Sequence, residues 1–247
     1  MIINSKHSRT IYGGDIHSEF RSLIFEINRF QITDALIIIL GDIGMGFYKK
    51  NYYIQEFNRM QKKLETKNNT IVFFRGNHDD PYYFENNVLE YDNIILASDY
   101  SIINQNGIKS LIVGGAISVD RTTRSSLKNE YWENEYIHFN DDDWNIIKNE
   151  KDISILLTHA APFGKWPYEK PTLKEYIDDD IDLENDEKES RDILNDLYND
   201  LKDNGCNITN WYYGHYHENH MEVIDDVEYR CVEMNKLYEK KNLYINV

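Results

Sequence analysis

An α/β architecture is predicted by two features of the sequence. Short apolar runs alternate with amphipathic stretches of helical spacing, and the runs are rich in β-branched and aromatic residues. Length and composition agree: 247 residues, 41% hydrophobic and 13% aromatic, are enough to bury a sizeable core in one domain, expected over residues 1–247. With 12 glycines and 4 prolines and no Gly/Ser- or Pro-rich stretch, neither a linker nor a collagen-like chain fits.

The elements are read from pattern. Residues 10–12 are the first predicted strand, and after them Phe20, Leu23, Ile24, Ile27 and Phe30 share one helical face. Residues 35–40 form an uninterrupted apolar run of the length of a buried strand, and Tyr53, Phe57, Met60 and Leu64 mark the next helix. Strands are predicted at 70–74, 109–113, 153–157 and 210–213, with further short strands in 91–106 and an irregular, partly helical insert at 122–149. Ile193, Leu194, Leu197, Tyr198 and Leu201 give the acidic segment 178–203 one apolar face, so a helix with a solvated acidic side is expected there. Residues 221–224 and 227–232, around Asp225-Asp226, read as a β-hairpin.

Charge narrows the partners. A net charge of −16 disfavours extended nucleic-acid binding and anionic membranes, both of which need a positive field. No run approaches the ~18 apolar residues of a membrane span, and residues 1–10 lack the apolar core of a secretory signal, so a cytoplasmic protein is expected. Cys206 and Cys231 are too few for a disulfide framework.

Function is legible just beyond the apolar runs, because five of them lead into metal-liganding residue types. These are Gly13-Gly14-Asp15-Ile16-His17, Gly41-Asp42, Arg75-Gly76-Asn77-His78-Asp79, Thr158-His159 and Gly214-His215-Tyr216-His217. In an α/β sheet, residues just beyond the carboxyl ends of strands converge in space. Carboxylate, imidazole and amide oxygen are donors for Mn, Fe, Zn or Ni, and a carboxylate can bridge two ions. Asp-x-His and His-x-His place two side chains on one side of an extended strand end. Taken singly, Asp15, Asp42 and Asn77 equally suit helix caps or turns, and each histidine a partly buried packing role.

Together, in this order, the five blocks resemble the calcineurin-like metallophosphoesterase superfamily. The chain is similar in particular to its small bacterial and phage members, through Gly114-Gly115-Ala116, Trp132-Glu133-Asn134-Glu135 and Thr158-His159-Ala160-Ala161-Pro162. The resemblance implies a two-layer β-sandwich flanked by helices, with a dinuclear metal site at one edge. Asp15, His17 and His217 would hold one divalent transition-metal ion, Asn77, His159 and His215 the other, and Asp42 would bridge them; Mn is expected first, with Fe, Zn or Ni as alternatives. The implied reaction is hydrolysis of a phosphomonoester or phosphodiester by a metal-bridging hydroxide. His78 would protonate or stabilise the leaving oxygen, with Asp79 orienting its ring.

Arg75, Arg121 and Arg124 are candidate phosphate-binding residues, and Trp166 and Tyr168 candidates to stack on a substrate ring. A cyclic-nucleotide or nucleic-acid phosphodiesterase and a nucleotide pyrophosphatase would use the same centre. A non-catalytic binding module on the same fold ranks lower, because every liganding residue is present. The block Gly41-Asp42-Ile43-Gly44-Met45-Gly46 lacks the Asp-Arg pair of protein serine/threonine phosphatases, and Ser18 stands where many relatives carry Gly. A protein-phosphatase role is therefore disfavoured.

Overall fold

The computed structural model describes residues 1–86, 88–127, 131–168 and 173–240. Its first half contains β1 (Ile2–Ser5), β2 (Arg9–Gly13), α1 (Phe20–Arg29), β3 (Ala35–Ile39), α2 (Lys50–Glu65), β4 (Thr70–Phe74), α3 (Tyr82–Glu85), β5 (Ile94–Ala97), β6 (Ile102–Gln105) and β7 (Ile108–Val113). Its second half contains α4 (Arg121–Leu127), α5 (Asp141–Ile147), β8 (Ile153–Thr158), α6 (Leu173–Tyr176), α7 (Leu183–Asp203), β9 (Asn210–Tyr213), β10 (His220–Ile224), β11 (Val227–Cys231) and β12 (Leu237–Glu239).

The strands form two sheets, ordered β1-β6-β7-β8-β9-β11-β10 and β12-β2-β3-β4-β5. Alternation along β3 shows why its run is wholly apolar. Leu36, Ile38 and Leu40 enter the layer between the sheets, where they meet Tyr12, Val72, Phe74, Ile112, Leu157 and Tyr212. Ala35, Ile37 and Ile39 face the opposite way, toward Leu23 and Ile27 of α1 and Phe57 and Met60 of α2. A strand covered on both faces has no use for a polar position. The second sheet is covered in the same manner by Leu194, Leu197 and Leu201 of α7 and Ile147 of α5. Each such side chain taken fully from water contributes about 1.5–3 kcal/mol. Trp211 is the largest of the fully buried residues, and its indole N–H is satisfied by Thr158 Oγ1 at 2.9 Å.

Register carries the fold toward function. In the five-stranded sheet β2, β3 and β4 are parallel, pairing Gly13 with Ile39 and Ile39 with Phe73. In the other sheet β7, β8 and β9 are parallel, pairing Val113 with Thr158 and Leu157 with Tyr212. All six strands therefore end at the same edge of their sheet, which brings segments distant in sequence side by side.

Two strands lie outside the sequence expectation. β1 falls in the short alternating stretch at the N-terminus, and β12 comes after the predicted hairpin. Both are edge strands, β1 parallel to β6 and β12 antiparallel to β2. β1 buries only Ile3 fully, so its apolar signal is weak. The hairpin is present, with Asp225 and Asp226 both at positive φ (49° and 63°), the conformation of a two-residue turn that matches strand twist. Within the expected insert, α4 and α5 are the helices among the described residues. α5 starts from a capping box in which Asn140 accepts from the Asp142 and Asp143 amides and Asp143 accepts from the Asn140 amide.

Candidate metal centre

Three of the five loop blocks put a liganding residue into left-handed backbone: His17 (φ 41°), Asp42 (φ 48°), and His215 and His217 (φ 66° and 58°). Such conformations cost about 1–3 kcal/mol for a non-glycine residue and cluster where side chains must be re-aimed off a strand. Two glycines permit the close approach. A Cβ on Gly76 would lie 2.1 Å from Asp42 Oδ1, and one on Gly214 would lie 2.3 Å from Asp15 Oδ1.

Two groups of donors result. Asp15, His17 and His217 present ligand atoms that all lie within 4.8 Å of one another, and so do Asp42, His159 and His215. In the first group His17 Nε2 and His217 Nε2 face each other at 3.3 Å. Asp15 is fully buried; its Oδ1 accepts from the His215 amide at 3.0 Å. Its Oδ2 has no hydrogen-bond partner, although His217 Nε2 stands 3.1 Å away. An orphaned buried carboxylate oxygen facing two imidazole nitrogens is a concentration of lone pairs that a cation would satisfy.

The second group is more deeply set. His159 is 0% exposed and Asp42 1%. His159 Nδ1 donates to the Leu40 carbonyl at 2.7 Å, which leaves Nε2 to face Asp42 Oδ1 at 3.2 Å and Asn77 Oδ1 at 3.0 Å. Asp42 Oδ2 lies 4.0 Å from His17 Nε2, so the two oxygens of one carboxylate are turned toward the two groups. The electrostatics match. Burial opposes charge on both members of the inner pair, but Asp42 lifts the His159 imidazole to about 9, and His159 in turn holds the Asp42 carboxyl well below its ordinary range. Asp15 raises His217 in the same sense. Residues of this kind and spacing fit divalent ions that replace the imidazole protons.

The expected helpers fall differently. His78 lines the cleft beside Asp42 and Asn77 and donates its amide to Asp42 Oδ1 at 2.8 Å. Burial pushes its ring below the ordinary histidine value. Asp79, expected to orient that ring, instead accepts from the amides of Ile43 (3.0 Å), Met45 (2.8 Å) and Gly76 (2.8 Å) through its carboxylate. It clips the loop after β3 to the loop after β4, and burial, with Asp42 nearby, pushes it up to about 7 against those three donors.

The three arginines are held by the protein, although the buried Nη2 of Arg124 has no hydrogen-bond partner. Arg75 is buried, pairs with Asp99 at 2.7 Å, and donates to the carbonyls of Asn134, Glu135 and Tyr136. Arg121 is held by Asp180 at 2.6 Å and Asp186 at 2.7 Å. Arg124 donates to Ser118 Oγ at 2.6 Å. None of the three lines the cleft.

Above the donors opens a cleft of about 740 Å³. Its floor is Asp42, Asn77, His78, His215 and His217; Trp166, Tyr168, Tyr176 and Tyr216 make an aromatic wall, and Asp120 and Glu218 add carboxylates. Trp166 stacks on His220 at 4.4 Å, so one of its faces is already covered. The wall is anchored from beneath by Arg191 of α7, which donates to the carbonyls of Ala161, Pro162, Lys165 and Pro167. Sequence reasoning missed Ser118, Tyr176, Glu218 and Arg191. Ser118 carried a usable signal, since it comes after the Gly114-Gly115 turn at the end of β7 as the other blocks come after their strands.

A family model described as calcineurin-like phosphoesterase matches residues 9–219. Among solved structures, the chain is similar to a phosphopantetheinyl hydrolase from Mycobacterium tuberculosis, with 14% identity, a TM-score of 0.48, and coverage of 97% of this chain and 98% of that one. It is also similar to GAP50, the anchor in the inner membrane complex of Plasmodium, with 12% identity, a TM-score of 0.45, and coverage of 92% and 71%. No curated protein matches the sequence.

Proposed function

The chain belongs to the calcineurin-like phosphoesterase family, and from that premise we propose that it works as a dinuclear phosphoester hydrolase with Asp42 as the shared ligand. Membership makes it a metal-dependent hydrolase of phosphate esters. The observation that carries the dinuclear reading is the Asp42 carboxylate, which joins His159 and His215 in one three-donor group with Oδ1 toward His159 and turns Oδ2 toward His17 of the other group. On this reading Asp15, His17 and His217 hold one ion and Asn77, His159 and His215 the other, with Mn the first candidate. A pair of divalent ions supplies charge for the phosphoryl oxygens and lowers the pKa of water enough to make hydroxide available near neutral pH.

The protein's own groups do the rest. His78 faces the cleft, where a ring N–H would donate to the leaving oxygen. Asp79 holds the two loops that carry Asp42 and His78 at fixed separation. The aromatic wall would receive the group beyond the phosphorus.

The cleft favours a diester over a monoester. Among the described residues no lysine or arginine lines it, while Asp120 and Glu218 do. A diester brings one negative charge where a monoester brings up to two, and extra charge against carboxylate walls is disfavoured. Steady-state hydrolysis of bis- and mono-p-nitrophenyl phosphate with added Mn tests this: a higher kcat/KM for the bis-ester is expected, and a clear monoester preference would overturn it.

A further inference from the structure

Asn77 is the one expected metal donor whose side chain has two chemically opposite ends. Its carbonyl oxygen can bind a cation and its NH2 cannot, so the centre works only if the amide faces one way. The neighbours of Asn77 decide that direction. Nδ2 donates to Ser118 Oγ at 2.8 Å, while Oδ1 faces His159 Nε2.

A hydroxyl has one proton and two lone pairs, and alone it would accept either end of an amide. Here, with Glu135 ionised, its proton is committed. Ser118 Oγ donates to Glu135 Oε2 at 2.8 Å, and Glu135 Oε1 accepts from the Ser118 amide at 2.8 Å, so carboxylate and serine are locked together at two points. Arg124 Nη1, which can only donate, fills a second lone pair at 2.6 Å. The remaining lone pair points at Asn77 and can only accept. Asn77, Ser118 and Glu135 are each 2% exposed, and Arg124 8%, so water does not relax this polarity. The segment bearing Glu135 is itself fixed, because Arg75 donates to its carbonyl at 3.0 Å and the Ala116 amide donates to the same oxygen at 3.1 Å.

We propose that Ser118, with Glu135 and Arg124, is a polarity lock that turns the Asn77 carbonyl toward the second metal. These are positioning residues: Ser118 borders the cleft, but its proton and lone pairs are engaged by Glu135, Arg124 and Asn77. The inference rests on Asn77 serving the second ion of the dinuclear reading, and it accounts for a buried Ser-Glu-Arg cluster that hydrolysis itself does not use. Glu135→Gln is the informative change. A glutamine NH2 can donate to Ser118 Oγ, which releases the serine proton toward Asn77 and favours the flipped amide.

The test is titration of the chelator-stripped full-length chain with Mn(II), monitored by the electron paramagnetic resonance signal of free Mn(II), which needs no turnover. Wild type is expected to show two sites. Ser118→Ala and Glu135→Gln are expected to weaken the site containing Asn77 by about 10- to 100-fold while leaving the Asp15-His17-His217 site unchanged. Ser118→Thr, which keeps the hydroxyl, restores binding. Adding Ser118→Ala to Asn77→Ala costs nothing further, because the lock then has nothing to orient. Wild type with a single site would end the dinuclear reading and this inference with it. Two wild-type sites that are both unaffected, or equally weakened, in Ser118→Ala and Glu135→Gln would overturn the polarity lock alone.

Discussion

The two donor groups differ in how much protein stands behind them. In the outer group His17 and His217 have side chains 25% and 46% exposed, and their nitrogens face each other. In the inner group His159 is sealed from solvent, tied to the Leu40 carbonyl, and flanked by Asn77 with Ser118 behind it. Supported ligands lose less freedom on binding and hold geometry more tightly. On the proposed reading the inner ion is therefore the tighter and slower to exchange, and the outer ion is the one that tracks the metal supply.

Removing a ligand from the inner group should have the largest effect. His159→Ala is expected to eliminate one Mn(II) site and reduce kcat/KM well beyond the ~10- to 100-fold that loss of a supporting group costs, as read by metal analysis and ester hydrolysis together. His217→Ala should be milder: the outer site weakens while the inner one persists, and excess Mn(II) restores much of the rate. Equal, unrescuable losses in both variants would erase the proposed difference between the sites.

Proton competition sharpens the same contrast. Because Asp42 lifts His159 to about 9, a cation at the inner group must displace a proton there at neutral pH. Inner-site affinity should rise with pH, approaching tenfold per unit below about 9. The sign for the stripped protein is opposite. A histidine raised above its ordinary value stabilises the fold fully below about 6.5, and that contribution is lost as pH rises through about 9. The gain in Tm on adding Mn(II) should therefore grow across this range, and calorimetry showing a constant gain would contradict the pairing of His159 with Asp42.

Smaller effects are expected away from the donors. His78→Gln should keep both ions while slowing hydrolysis by about 10²-fold, most for esters with poor leaving groups. Trp166→Ala should change KM more than kcat, since the ring lines the cleft and packs on Tyr216 and His220 rather than on a proposed ligand.

The candidate donors were legible in the sequence because their chemistry is written in residue type and their convergence in strand order. Parallel strands ending in Asp15, Asp42, Asn77, His159 and His215 have one edge at which to meet. What was illegible is which residue supports which. Asp79 is next to His78 in the chain, which suggests that it orients the ring, yet its carboxylate serves three backbone amides. Backbone donors leave no side-chain pattern to read. Arg75 and Arg121 look like phosphate ligands for the same reason that they make good ion pairs, and only the fold shows that Asp99 and Asp180 hold them. β1 and β12 leave little signal because edge strands bury few side chains.

The central claim is that one carboxylate joins two ions at the floor of the cleft, and metal stoichiometry in wild type and Asp42→Asn tests it most directly, with Mn-dependent ester hydrolysis measured on the same samples. The account predicts close to two ions per wild-type chain with activity, and a loss of both in Asp42→Asn. A wild-type chain that neither retains nor responds to Mn, Fe, Zn or Ni would contradict it, as would an Asp42→Asn variant that keeps two ions and full activity.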